Sequence, residues 1–287
     1  MKCKLIVSDM DGTLFNSEKE ITKKNIEAIN KVIEKKVRFV IVTGRQSKEI
    51  NMLIKKYNLF LDIIGLNGAE IRNSQGNVIW KKKIEEKAVN KIIDILIKNQ
   101  VFFKCYGVEE VIVNCPPNLR EILLGFVVDK YGRVENEEED IKKYYKRLCP
   151  NARKEANIKE YIEKNNLDIL KIEILDTDQD LLRNLEDQIS NINRLNVTKS
   201  FKNNIEIVNE EVDKGNAVKI FAEKLGVDKK YIVAFGDNWN DIEMIKYSGI
   251  GVAMENSIDE VKKVSKFITL SNNNDGVAYG IENFITF

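Results

Sequence analysis

Histidine is absent from these 287 residues. The usual proton carrier at neutral pH is therefore missing, and acid–base work falls to carboxylates or, failing them, to Lys, Tyr or Cys. The cysteines, Cys3, Cys105, Cys115 and Cys149, include no CxxC spacing. Without histidine to complete a ligand set, that pattern argues against a Cys/His zinc site and for reduced thiols in a cytosolic protein. An excess of either charge is lacking as well. The 46 Lys+Arg stand against 45 Asp+Glu, a net charge of +1. Composition therefore gives no reason to expect a nucleic acid or an anionic membrane surface as partner. Long apolar runs are missing too. No stretch approaches the roughly 18 residues of a membrane span. The N-terminal run is only Leu5 to Val7, too short for a signal peptide. The expectation is a cytoplasmic protein, monomeric by default, with no membrane, nucleic-acid or obligate protein partner.

What is present suits an ordinary soluble chain, 43% hydrophobic and 32% charged. Its length is large for one hydrophobic core and comfortable for two domains, or for one domain with an insertion. Leu5-Ile6-Val7 reads as a buried strand running into Ser8-Asp9. Thr22 is placed to cap an amphipathic helix that carries Ile26, Ile29, Val32 and Ile33. A strand over Phe39–Val42 ends at Thr43-Gly44-Arg45, and a helix follows over 47–57. Ile63-Ile64 ends at Asn67-Gly68-Ala69, and 71–80 reads as a hairpin. Strands that are apolar on both faces and alternate with helices predict a parallel sheet covered on both sides. Polar motifs past the strand C-termini lie at the edge where such sheets bind ligands.

The pattern changes after about residue 82. Short strands and helices mix from there, and residues 83–200 are read as an inserted α+β cap. The acidic tract 135–140 reads as a solvated rim or a helix start. The first pattern then resumes. Asp213 can cap a helix beginning Lys214-Gly215, and Tyr231–Phe235 is a strand ending at Gly236-Asp237. Residues 1–82 and 201–287 are thus expected to form one Rossmann-like α/β core.

Asp9-Met10-Asp11-Gly12-Thr13 is the sharpest local feature. Two carboxylates one residue apart point the same way if the extended path persists. At that range they call for a cation or a shared proton. Mg²⁺ suits such hard oxygen ligands. Gly236-Asp237-Asn238-Trp239-Asn240-Asp241 repeats the theme at another strand end. One such cluster could be a solvated turn; two in one fold are harder to explain without a metal. Thr43, at a strand end before a helix, can hold a phosphoryl oxygen, and Lys214 supplies a compact positive charge.

These residues together resemble the haloacid dehalogenase-like hydrolase superfamily, and within it the Cof-type phosphatases. DMDGT at 9–13, Thr43-Gly44-Arg45, Lys214 and GDNWND at 236–241 follow the order of the family's motifs. Asn67-Gly68-Ala69 and residues 274–278 resemble further Cof-type signatures. The resemblance implies that Asp9 is the nucleophile and a magnesium ligand. Asp11 would bind magnesium through its carbonyl and serve as general acid/base. Asp237 would bind the metal, and Asp241 would steady its shell. Thr43, Lys214 and backbone N–H groups near Met10 and Gly44 would hold the phosphoryl group, with Asn240 as a further contact. The implied activity is Mg²⁺-dependent hydrolysis of small phosphorylated metabolites, sugar phosphates first, with flavin mononucleotide and pyridoxal phosphate as alternatives. A phosphotransferase or mutase using the same aspartyl-phosphate, and a non-catalytic phosphometabolite-binding module, are the competing readings.

Overall fold

The computed structural model describes residues 3–286. Two compact units divide the chain: Lys82–Glu211 forms one, and the chain up to Lys81 and from Val212 onward forms the other.

The flanking unit opens with β1 (Leu5–Asp9), α1 (Lys23–Glu34), β2 (Arg38–Val42), α2 (Ser47–Lys55) and β3 (Asp62–Gly65), then β4 (Glu70–Arg72) and β5 (Val78–Lys81). Thr22 caps α1 as expected, its side-chain oxygen accepting the Asn25 N–H at 3.3 Å. The inserted unit holds α3 (Glu86–Lys98), β6 (Phe102–Tyr106), β7 (Val111–Val113), α4 (Leu119–Tyr131), α5 (Glu137–Leu148) and β8 (Arg153–Lys154). It continues through α6 (Ile158–Lys164), β9 (Lys171–Leu175), α7 (Gln179–Ser190), β10 (Leu195–Thr198) and β11 (Asn204–Asn209). The chain then returns with α8 (Lys214–Leu225), β12 (Ile232–Gly236), α9 (Ile242–Tyr247), β13 (Ile250–Ala253), α10 (Asp259–Val264), β14 (Phe267–Ile268) and α11 (Gly276–Phe284).

The flanking unit's sheet has the order β14-β13-β12-β1-β2-β3-β4-β5. It is parallel from β14 to β3, and the hairpin β4–β5 adds an antiparallel edge. Alternate residues of the strands feed two apolar layers. Ile6, Phe39, Ile41 and Ile63 pack with Ile29 and Val32 of α1, Ile50 of α2 and Val277 of α11. Leu5, Val7, Val40 and Ile64 pack with Val218 and Phe221 of α8, Met244 of α9 and Val261 of α10. This is a Rossmann-like sheet with helices on both faces. β1 pairs with β2 on one side and with β12, more than 200 residues later, on the other. Ser8 stands opposite Phe235 in that pairing, so the residues just past both strand ends become neighbours.

The inserted unit is a second sheet, ordered β10-β11-β9-β6-β7-β8 and antiparallel except for the β7–β8 pair. Phe103, Cys105, Ile172, Ile174, Ile205 and Ile207 line one face against Ile92 and Leu96 of α3 and Leu185 of α7. Its opposite face pairs Lys104 with Glu173 at 3.1 Å and Lys171 with Glu206 at 2.8 Å. The expected boundary at 200/201 is corrected here. Residues 204–209 pair with β9 and β10 and do not join the first sheet, because Ile205 and Ile207 complete the second unit's apolar layer. Lys82 also falls in the inserted unit. The acidic tract does begin a helix, with Asn136 as its N-cap.

Among the described residues, no helix is long and apolar enough to cross a membrane.

Candidate active site

Asp9 ends β1, and Asp237 follows the last residue of β12. Asp241 is drawn back onto the same strand end. Its Oδ2 accepts the backbone N–H groups of Asp237 at 2.9 Å and Asn238 at 3.0 Å. The Asn238 side chain caps the short helix that follows, so the loop is braced at both ends. Carboxylate oxygens of Asp9, Asp237 and Asp241 all lie within 4.8 Å of one another.

Lys214 begins α8, whose first turn is capped by Asp213 accepting the Asn216 N–H at 2.8 Å. Its ammonium donates to Asp9 Oδ1 at 2.5 Å and to Asp241 Oδ1 at 2.6 Å. The side chain is only 1% exposed. Burial alone would push its proton off, but Asp241 and Asp9 more than offset that and hold the pKa above the ordinary lysine value. Lys214 therefore stays an ammonium ion.

The acidic side of the cluster is not neutralised by one lysine. Burial drives the Asp9 carboxyl well above the usual range, Lys214 opposes this, and Asp241 and Asp237 add to it. Asp237 is pushed up to about 6, by burial first and Asp241 next, although the Thr13 hydroxyl donates to its Oδ1 at 2.7 Å. Gly12 makes this approach possible. Its φ of 85° suits glycine, and a Cβ there would run into the Asp237 carboxylate.

Asp11 is placed differently from the other three acids. Arg45 grips its carboxylate at both oxygens, from Nε to Oδ2 at 2.7 Å and from Nη2 to Oδ1 at 2.7 Å. Lys19 donates to Oδ1 at 2.7 Å as well. Burial would raise this carboxyl, but the two cations outweigh it and hold the pKa below the ordinary value. The side chain, 35% exposed, is in this arrangement a braced carboxylate rather than an acid ready to donate.

The remaining expected residues surround the cluster or its supports. Thr43 is buried just past β2; its N–H donates to Ile64 O at 2.8 Å, and its hydroxyl oxygen accepts the Arg45 N–H at 3.2 Å. Met10 turns its side chain into the apolar core. Asn240 donates from Nδ2 to Asn67 Oδ1 at 3.2 Å, and Gly44 lies against that same Asn67 oxygen, 3.0 Å from where a Cβ would sit.

Sequence reasoning assigns no side-chain role to Thr13, Lys19, Arg45 or Asn67. Thr13, Arg45 and Asn67 stand inside motifs already singled out, and that is their signal. Lys19 carries none, being one cation in a polar loop.

A divalent cation fits this donor set. Three carboxylates share one lysine in a buried site, and burial first, with their mutual repulsion adding to it, raises the pKa values of Asp9 and Asp237. Hard, closely spaced oxygens of that kind are what Mg²⁺ prefers. The raised Asp237 carboxyl also gives the cation-free protein a pH signature. An unfolded Asp loses its proton near pH 4, roughly, so between there and about 6 the folded form holds the proton more tightly. The Asp237 contribution to stability is thus greatest at low pH and is lost as pH rises through about 6. A cation binds the deprotonated form, so its stabilisation should grow over the same interval. Melting temperatures with EDTA and with Mg²⁺, taken across this range, should diverge as pH rises. The divergence should shrink in Asp237→Asn; a constant gap in both proteins would contradict the assignment.

Comparison with known proteins agrees with this geometry. The model of the haloacid dehalogenase-like hydrolase family matches residues 6–281. Two Bacillus subtilis proteins, each named a 5-amino-6-(5-phospho-D-ribitylamino)uracil phosphatase, are similar along their whole length. One is 30% identical, with 100% of this chain and 99% of the relative covered. The other is 30% identical, with 98% and 96% covered. A solved Thermotoga maritima structure superposes with a TM-score of 0.81 at 31% identity, covering 99% of this chain and 98% of its own.

Proposed function

We propose, because the chain belongs to the haloacid dehalogenase-like hydrolase family and to its Cof-type phosphatases, that it hydrolyses small phosphate monoesters through an aspartyl-phosphate on Asp9. The observation that carries the reading is the buried Asp9–Lys214–Asp241 bridge with Asp237 beside it at the strand ends.

In this mechanism a carboxylate oxygen of Asp9 attacks phosphorus, and the ester P–O bond breaks. Lys214 keeps Asp9 oriented and offsets the negative charge that would repel the incoming phosphate. Once freed from Arg45 and Lys19, Asp11 takes up a proton from solvent, donates it to the departing oxygen, and becomes a carboxylate again. Water then attacks the same phosphorus and gives a proton to Asp11, so that inorganic phosphate departs and Asp9 is restored. Thr43, Asn240 and backbone N–H groups near Met10 and Gly44 are assigned to the phosphoryl oxygens. Asp9, Asp237 and the Asp11 carbonyl, with Asp241 behind them, would hold Mg²⁺, which when bound would supply Lewis-acid stabilisation of the phosphoryl charge.

The substrate we assign is a phosphate ester of a sugar or polyol. The two Bacillus relatives are named for a ribityl phosphate, which supports that chemistry. The test is phosphate release from a panel of sugar, polyol, flavin and pyridoxal phosphates with Mg²⁺ or EDTA. Mg²⁺-dependent release ranked highest for sugar or polyol esters is expected. Phosphoryl transfer within a substrate without release would favour a mutase; binding without turnover of any ester would favour a phosphometabolite-binding module.

A further inference from the structure

The turn after β3 departs from ordinary backbone geometry. Leu66 and Asn67, both buried, have φ values of 52° and 57°, in a region that non-glycine residues seldom occupy. Two consecutive such residues, one of them an apolar leucine, persist only where the surroundings impose them.

Those surroundings are the segments assigned to the phosphoryl group. Leu66 N–H donates to Arg45 O at 2.9 Å, and Asn67 N–H donates to Thr43 O at 2.9 Å. The Asn67 side chain accepts from Asn240 Nδ2 at 3.2 Å and abuts Gly44. On its other side the turn meets the start of α8. Gly68, with φ 107°, sits so close that a Cβ would lie 2.6 Å from Asp213 O. One strained turn thus joins the loop after β2, the loop after β12 and the helix start that carries Lys214.

We propose that Leu66-Asn67-Gly68 is a keystone of the phosphate cradle, and that Asn67 is a positioning residue that aims the Asn240 amide. The inference rests on the phosphatase reading, in which Asn240 touches the phosphoryl group. Asn67 acts through Asn240 and through the path of the Thr43–Arg45 backbone. Glycine would accept the backbone angle at 67 as readily as asparagine does, so a glycine there isolates what the amide side chain contributes.

Asn67→Gly separates these roles, because glycine accepts the backbone angle and removes only the side chain. Three variants of the full-length chain are compared with the parent: Asn67→Gly, Asn240→Ala and the double variant. A lost aligned hydrogen bond and a displaced contact lead us to expect kcat/KM to fall about tenfold or more in either single variant. The affinity for inorganic phosphate, read by calorimetry, should fall by a similar factor while Tm stays close to that of the parent. Because one group acts through the other, the double variant should lose little beyond the worse single one. Parent-like kinetics and phosphate affinity in Asn67→Gly would overturn the proposal. So would losses that multiply in the double variant, or a loss that disappears on cooling and tracks Tm. A parent protein that hydrolysed no ester would refute the phosphatase reading, and the calorimetric cycle would still decide whether Asn67 and Asn240 act together.

Discussion

Asp9→Asn should abolish turnover while leaving the fold at least as stable as that of the parent. The substitution removes the attacking oxyanion and keeps the side chain's size. Loss of a covalent nucleophile costs on the order of 10⁴-fold or more in kcat. Stability should move the other way. Burial and the neighbouring Asp241 and Asp237 disfavour a charged Asp9, and only Lys214 favours it. Replacing it with a neutral amide relieves that repulsion, while Lys214 keeps its contact with Asp241 at 2.6 Å. The cation-free variant should therefore melt no lower than the parent, and Mg²⁺ should stabilise it less. Steady-state kinetics beside thermal melts with EDTA check both halves. A variant verified free of deamidation that turned over like the parent would exclude Asp9 as nucleophile.

Lys214→Met should damage both stability and rate. The lysine is the cation inside the cluster, bonded to Asp9 and Asp241. Removing one partner from a buried ion pair costs about 3–5 kcal/mol, since the other charge is left unpaired. Here two carboxylates lose their partner, and Asp237 stands nearby. Mg²⁺ should recover more stability in this variant than in the parent, because it becomes the main source of positive charge. It should not restore the rate. With the phosphate charge no longer offset at that position, kcat/KM should drop about 10²–10³-fold. If the protein is too unstable to handle, Lys214→Met combined with Asp241→Asn removes one of the stranded charges and should refold better while remaining slow. Parent-like stability in EDTA would mean that the cluster is not held together as described.

Much of this site is legible in the sequence. Asp9 and Asp237 follow short apolar strands, and a parallel α/β sheet places such strand ends along one edge. What the sequence does not show is which strands are neighbours. The β1–β12 pairing, which makes Asp9 and Asp237 adjacent, joins segments more than 200 residues apart. Similarly, Ile205-Glu206-Ile207-Val208 announces a strand without saying which sheet receives it, and the change of pattern along the chain assigns it to the wrong one. Its partners are set by the apolar faces of β9 and β10, which local periodicity does not reveal. The helix α4 escapes a sequence reading for another reason. Leu119, Leu123, Leu124, Phe126, Val127 and Val128 spread apolar residues around much of its circumference, which blurs the one-sided stripe that marks a surface helix. The clamp on Asp11 is illegible too. Arg45 lies 34 residues away in sequence, and a guanidinium ending a strand motif does not declare which carboxylate it will meet.

The central claim, that phosphate passes through Asp9, is tested most directly by trapping the intermediate. The parent protein is mixed with a turned-over phosphate ester and Mg²⁺, quenched in acid within the first turnover, digested and analysed by mass spectrometry. The account predicts one added phosphoryl group on the peptide carrying Asp9, localised to that residue, and none in Asp9→Asn. A parent enzyme caught during turnover with no phosphoryl group on Asp9, or with one on another residue, would contradict it.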